Sequence, residues 1–377
     1  MLTVAMPHCG LKADSTSGVR IGILPAVGSG LASMAATGQL GRLQTHLDWY
    51  ARLGPLEYFS YLQPTRELPL AHQVPARVHC LMVGPKRALV RPLVERGLWR
   101  GLALCRAMNL LGTIPALTAR ALWGIPFVMS YGADYEQIAR IHGRSALHLR
   151  KWEWLRRLAF RSASAVLVSR QDLAERLQRE YPGTRIIWHP NWVDLERFSP
   201  AEAPAGSRHV LYVGRLVEEK NLLRLARAVN GIWGARLRCV GEGPLQWALG
   251  GDHPASYRAD CPGPRDWAEL PDEYRAAGCF ALASLTEGHP KALIEAMACG
   301  VPCAVSDRVG VIRHEETGLV FKADDEADMR TQIARLLDDR DLAAKLGAAA
   351  RKESEQYDLN VLMPEELRLV RAAAKCA

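Results

Sequence analysis

From Val19 onward the chain alternates short apolar runs with amphipathic stretches. Val19 to Leu24 reads as a short buried strand that runs into a small-residue loop, Pro25-Ala26-Val27-Gly28-Ser29-Gly30. A helical pattern follows from about Leu31 to Leu47, so the chain opens as strand, glycine-rich loop and helix, the start of a βαβ unit. Further strands are predicted at Val78–Val83, Phe127–Tyr131, Ala165–Ser169 and Ile186–Trp188, with a helix opening at Asp172 and running to Leu177. A second series begins with strands at His209–Gly214 and Arg236–Gly241 around a helix at Leu222–Val229. It continues with a strand at Cys279–Ala283, a helix over about 290–299 and a strand at Pro302–Val305. Helices at Ala327–Leu337 and Leu342–Ser354 follow. Alternation in both halves predicts an α/β protein of two Rossmann-like parallel-sheet domains, 19–199 and 207–354, joined by the Pro- and Ala-rich linker 199–206. In such proteins the ligand sits in the cleft facing the C-terminal ends of the strands.

Composition narrows the class. The 377 residues are 49% hydrophobic and 23% charged, an ordinary globular balance that argues against disorder or a coiled coil. The most apolar stretch, 101–131, is broken by Arg106, Pro115, Arg120 and Pro126, so no spanning helix is expected. Residues 1–18 carry no apolar signal core and read as an N-terminal extension. Nine cysteines at irregular spacings fit free thiols in a reducing cytoplasm. Cys299 and Cys303 lack the further ligands of a zinc site. The net charge of +8 is uneven: residues 1–200 hold 25 Lys and Arg against 13 Asp and Glu, and the remainder hold 23 against 27. The first half therefore suits an anionic partner.

Three motifs carry chemistry. Glu287-Gly288-His289-Pro290-Lys291-Ala292-Leu293-Ile294-Glu295 places one carboxylate in the loop after a strand and one inside the following helix. Pro290 suits the first helical position and Gly300 the exit, so free N–H groups near Gly288 to Lys291 form an anion site. Leu293, Ile294 and Met297 form the buried face. Gly214-Arg215, with Lys220-Asn221 shortly after, offers a rigid fork of donors and a mobile point charge, enough to neutralise a diphosphate. Val240-Gly241-Glu242-Gly243-Pro244 is a glycine-rich strand end. Each motif alone also reads as an ordinary loop or solvated face.

Their order and spacing, with Glu295-Ala296-Met297-Ala298-Cys299-Gly300-Val301-Pro302 and Thr317-Gly318-Leu319-Val320, resemble the C-terminal domain of glycosyltransferase family 4, the group 1 glycosyltransferases of GT-B fold. Weaker similarity extends upstream through Val168-Ser169 and Asn191-Trp192-Val193-Asp194. The resemblance implies a GT-B pair of domains around a central cleft, with 355–377 a C-terminal helix packing back on the first domain. It implies retaining transfer of a hexosyl-type sugar from a UDP- or GDP-linked donor, without a cofactor or a metal. On the residues that match, Arg215 and Lys220 would hold the diphosphate, Glu295 the ribose hydroxyls, and Glu287 the donor sugar. Gly28, Gly30, Gly214, Gly243, Gly288, His289, Pro290 and Lys291 would line the donor. The acceptor would be a saccharide or a lipid-linked intermediate of cell-envelope polysaccharide, lipopolysaccharide or glycolipid synthesis.

Two departures touch that pattern. Where family members often carry His-Gly, this chain has Tyr131-Gly132 followed by Asp134, which places Tyr131 and Asp134 on the acceptor side. The segment 306–315 is shorter than usual. A non-catalytic partner subunit is one rival reading, and a nucleotide-sugar epimerase or phosphorylase on a similar fold is another. No nucleic-acid recognition module is present. Residues 140–161 interleave seven Arg or Lys with Trp152, Trp154, Leu155, Leu158 and Phe160. That pattern suits either an ordinary surface helix or one lying on the inner face of an anionic membrane.

Overall fold

The computed structural model describes residues 18–81, 85–132, 143, 145–200, 207–250, 257 and 259–375. The N-terminal extension apart from Gly18, the linker residues 201–206 and Asp134 lie outside the described residues. Two parallel sheets form the frame. In the first, β1 (Ile21–Leu24), β2 (Leu56–Ser60), β3 (Arg77–Cys80), β4 (Leu104–Ala107), β5 (Phe127–Tyr131), β6 (Ala165–Val168) and β7 (Ile186–Trp188) lie in the order β3-β2-β1-β4-β5-β6-β7. In the second, β8 (His209–Val213), β9 (Arg236–Val240), β10 (Asp260–Gly263), β11 (Cys279–Leu282), β12 (Cys303–Ser306) and β13 (Leu319–Phe321) lie in the order β10-β9-β8-β11-β12-β13. Strands covered on both faces read as continuous apolar runs, and β1, β6, β11 and β12 are buried along their whole length. The strand order reverses between β1 and β4 and between β8 and β11, and a crevice opens at such points.

The structure adds β2, β4, β10 and β13 to the strands expected from the pattern, and the expected strand Val78–Val83 is observed as Arg77–Cys80. β2 and β4 hide because each carries a buried charge: Glu57 accepts from Arg20 at 2.8 Å and contacts His79 at 2.5 Å, and Arg106 is only 2% exposed. The helix expected over Leu31–Leu47 is two helices, Leu31–Ala36 and Leu40–Ala51. The break falls at Gly38, whose φ of +69° is left-handed and whose carbonyl accepts from the Trp267 N–H of the second domain at 2.8 Å.

One apolar core bridges the two domains, and a second, around Phe59, Trp99, Phe127 and Phe160, lies within the first. The bridging core runs from Ile21 and Leu47 through Trp192, Phe198 and Trp267 to Leu211 and Leu293. The chain crosses back at Val193, whose N–H bonds to the Tyr357 carbonyl at 2.9 Å and whose carbonyl accepts from Leu359 at 2.8 Å. The last helix, Leu359–Lys375, then lies against Leu40–Ala51, β4 and β5 of the first domain. Among the described residues no helix is long and apolar enough to cross a membrane.

Candidate active site

A cleft of about 1160 Å³ lies between the sheets, lined by the loops at the C-terminal ends of their strands. Arg215, Lys220, Glu287, Glu295, Gly214, Gly243, Gly288, His289, Pro290 and Lys291 all line it.

Its second-domain wall is held by backbone contacts between loops. Gly241 has φ +142°, and a Cβ there would sit 2.0 Å from the Gly214 carbonyl oxygen. Only a glycine allows these two strand ends to meet. The turn Glu218–Lys220 is tied to the loop after β11, because the Leu285 N–H donates to the Glu219 carbonyl at 2.9 Å. That tie sets Lys220 Nζ 2.5 Å from Glu287 Oε1, which also accepts from Ser284 Oγ at 2.7 Å. Lys220 and Glu287 are thus a mostly enclosed, aligned ion pair. Arg215 is different: its side chain is 68% exposed and reaches Glu219 at 3.2 Å.

The helix Lys291–Ala298 begins after Pro290, and its first turn lines the cleft. The N–H groups of such a first turn lack partners within the helix and favour an anion. Leu293, Ile294 and Met297 are buried, and so is Glu295. The Glu295 carboxylate is enclosed by protein donors: it pairs with Arg42 and accepts from Trp267 Nε1 at 3.1 Å and Tyr274 OH at 2.9 Å. Lys291 is open to cleft water yet surrounded by protein, and that enclosure, with the nearby Arg42 charge, pushes its ammonium down to about 7.

The two walls come into close backbone contact at Gly288, where a Cβ would lie 1.9 Å from the Gly132 carbonyl oxygen. Arg170 donates to the Glu287 carbonyl at 3.1 Å. Asn191 binds His289 twice, from its backbone N–H to Nδ1 at 3.1 Å and from its amide to the carbonyl at 2.5 Å. The motif loop therefore rests on the first domain, and His289 acts as a bolt between domains.

Three expected residues fall elsewhere, and a fourth is not described. Gly28 and Gly30 are not among the lining residues; the neighbouring residues that reach the cleft are Met34 in the short helix Leu31–Ala36 and Thr37, Gln39, Arg42, Leu43 and His46 after it. Gly30 instead packs against β2, where a Cβ would meet Ser60 Oγ at 2.2 Å. Tyr131 is 1% exposed and packs edge-on against Phe160 in the core of the first domain, so its neighbour Gly132 is the residue that faces the cleft. A side chain at the end of β5 points into the sheet packing, and the register of the expected histidine is thus filled by a core residue. Asp134 lies outside the described residues.

Sequence reasoning missed the floor of the cleft. Arg106 on β4 donates to Glu366 Oε1 at 2.7 Å, to Tyr50 OH at 2.7 Å and to Ser130 Oγ at 2.8 Å. His189 Nε2 meets Glu366 Oε2 at 3.0 Å. Although burial opposes its charge, Arg106 and the two neighbouring histidines hold the Glu366 carboxyl well below the usual carboxylate range. His46 accepts from Trp192 Nε1 at Nδ1, 3.2 Å, so its neutral form carries its proton on Nε2. Among the described residues that Nε2 has no hydrogen-bond partner; its nearest carboxylate oxygen is Glu366 Oε1 at 3.9 Å. Only the helical spacing of Arg42 and His46 on one face could have hinted at them.

Burial pushes both His46 and His289 down to about 4. Unfolded, each titrates near 6.5, so below that pH the unfolded chain binds more protons and stability falls. Acidification from about pH 6.5 to 4 is therefore expected to remove a few kcal/mol of stability through these two rings. His46→Gln with His289→Gln flattens that window in urea titrations at a series of pH values. An equally steep loss in the double variant would assign the effect to other groups.

Comparison with known proteins places these features. Residues 207–339 match the family described as glycosyl transferases group 1. The sulfoquinovosyl transferase of Arabidopsis thaliana is 28% identical over 267 residues, covering 64% of this chain and 51% of that protein. The UDP-Gal:alpha-D-GlcNAc-diphosphoundecaprenol alpha-1,3-galactosyltransferase of Escherichia coli is 30% identical over 177 residues, 40% of this chain and 45% of that protein. The chain thus spans about half the length of these two relatives. Among solved structures, the sucrose-phosphate synthase of Thermosynechococcus elongatus superposes with a TM-score of 0.77 at 20% identity, over 95% of this chain and 100% of that one. An Anabaena protein crystallised with UDP and glucose gives 0.72 at 17% identity, over 94% and 100%. These likenesses show the fold, two parallel-sheet α/β domains of the GT-B type.

Proposed function

We propose that the chain is a retaining glycosyltransferase. It moves a sugar from a nucleotide diphosphate sugar to an acceptor in cell-envelope polysaccharide, lipopolysaccharide or glycolipid synthesis. The observation that carries this reading is the convergence of Lys220, Arg215, the first turn of Lys291–Ala298 and Glu287 on one wall of an interdomain cleft. Breaking the bond between sugar and phosphate builds negative charge on the leaving diphosphate. Fixed cations and unpaired helix N–H groups already aimed at that charge need little reorganisation to stabilise it. Before the donor arrives, Lys220 is paired with Glu287. In this reading the diphosphate draws the ammonium away and leaves the Glu287 carboxylate to face the sugar. The group 1 match over the second domain and the UDP and glucose held by the Anabaena neighbour support the donor class.

Glu295 positions in this scheme through Arg42 and Trp267, and its own oxygens reach a ribose only as those partners yield. No metal step is required. Transfer or donor hydrolysis, followed by release of UDP or GDP from a panel of nucleotide sugars, is expected to persist in excess chelator. An absolute requirement for Mg²⁺ or Mn²⁺ would overturn the metal-free assignment, and no turnover with any donor would overturn the enzyme reading.

A further inference from the structure

Exposed large apolar side chains are unevenly placed. Leu89, Val90, Leu93 and Val94 lie in and just before the short helix Arg91–Val94, Leu122 on the helix Thr113–Trp123, and Leu147, Trp154 and Leu158 on the helix Ala146–Ser162. Arg91–Val94 and Ala146–Ser162 both pack against Thr113–Trp123, so the three elements lie side by side on the outside of the first domain. The two most open of these side chains, Val94 at 68% and Trp154 at 66%, stand on the two flanking helices.

The same elements are basic. Leaving out β4, residues 85–100, 108–124 and 146–162 contain eleven Lys or Arg and two Glu. Both acids are engaged, Glu95 by Arg91 at 2.8 Å and Glu153 by Arg157. Arg87, Arg96, Arg100, Arg120, Arg150, Lys151 and Arg161 are exposed. The helix Ala146–Ser162 does not supply the whole surface by itself. Its Trp152 and Leu155 pack into the core, and Arg156 turns inward to Glu180 at 3.0 Å. The apolar share comes largely from Leu89–Val94, a segment far away in sequence.

We propose that these three elements form one docking surface for an anionic lipid bilayer. The charge chooses the occupant. A second copy of the chain would set two strongly basic faces together, whereas an anionic headgroup layer neutralises the arginines while the aliphatic and indole groups enter the boundary below it. No single element is long or apolar enough to anchor permanently, so binding is reversible and salt-sensitive. The helix Ala146–Ser162 follows β5, whose C-terminal end faces the cleft, so its first turns begin on the cleft side of the sheet. Docking there brings the cleft to the bilayer surface. The inference rests on the glycosyltransferase reading only for the purpose of that proximity; vesicle binding is tested without it.

The full chain is expected to co-sediment with phosphatidylglycerol-containing vesicles at low salt and to stay in solution with phosphatidylcholine vesicles or at high salt. Arg150→Gln with Lys151→Gln and Arg161→Gln should weaken binding by about a hundredfold at low salt. Val94→Asn with Leu93→Asn is the decisive variant, since it leaves every charge and the whole 146–162 helix untouched yet should release the protein. Lys220→Ala, which concerns only the cleft, should bind vesicles as the parent does, so loss of turnover and loss of docking are read apart. A parent that remains in the supernatant with anionic vesicles, unaltered binding by the Leu93 and Val94 variant, or a dimer in solution abolished by that variant would each overturn the proposal.

Discussion

Lys220→Ala is expected to lower kcat/KM for donor use by about a hundredfold or more, the range for removing a single pre-aimed charge-stabilising donor from an enclosed site. Lys220 is fixed from two sides, by the turn that ties Glu219 to Leu285 and by the pair with Glu287, so its ammonium is held in place before any ligand arrives. Removing it also takes the cation from the Glu287 carboxylate and leaves the Ser284 hydroxyl as its donor among the described residues, an added cost when a diphosphate approaches. Arg215→Ala should cost less, about tenfold, because its guanidinium is largely in water and tethered to Glu219. Steady-state kinetics with the preferred nucleotide sugar measure both, with thermal unfolding as the control for folding. Parent-like kinetics in the two variants would remove the diphosphate from this wall of the cleft.

Glu366→Ala is expected to destabilise the protein by about 3–5 kcal/mol, the cost of breaking a buried pair and stranding its partner. The partner is Arg106, and both side chains are 2% exposed. Tyr50 and His189 lose their shared acceptor as well. Because the Glu366 carboxyl is held well below its ordinary value, its contribution is present above about pH 4.5 and is lost as acid protonates the folded form. Replacing both Glu366 and Arg106 with leucine should cost less than the sum of the single replacements, since no lone charge remains. Urea midpoints at neutral pH decide the matter; a change below about 1 kcal/mol for Glu366→Ala would mean that the floor is not closed by this pair.

The parts of the fold that were legible in the chain are those where burial and apolarity coincide. β1, β5, β6, β8 and β11 are runs of aliphatic and aromatic residues, and their pattern reads directly as buried strand. β4 is concealed by Arg106, which interrupts the apolar pattern, because a fully paired guanidinium inside a domain looks the same in one dimension as a surface charge. β10, Asp260-Cys261-Pro262-Gly263, has the composition of a turn and is a strand only because it lies on the edge of its sheet. The site divides in the same way. Glu287 to Lys291 and Arg215 to Lys220 are local motifs whose spacing carries their geometry. Arg42 and His46 share one helix, while Arg106, His189 and Glu366 come from three further places; beyond that helical spacing nothing local marks them until tertiary packing brings them together.

The pair between Arg106 and Glu366 has a consequence for the order in which the molecule can be made. During synthesis the first sheet leaves the ribosome complete at β7, about half a chain before Glu366 exists. Until then Arg106 has no anion beside it, and a buried lone guanidinium opposes closure of the sheet around β4. The first domain is therefore first to emerge and last to finish, and it waits for the second domain to fold and hand back its final helix. A nascent chain stalled at residue 200 should be readily proteolysed near β4. One that already includes residue 375 should be resistant, so the helix Leu359–Lys375 is the piece that completes the first domain.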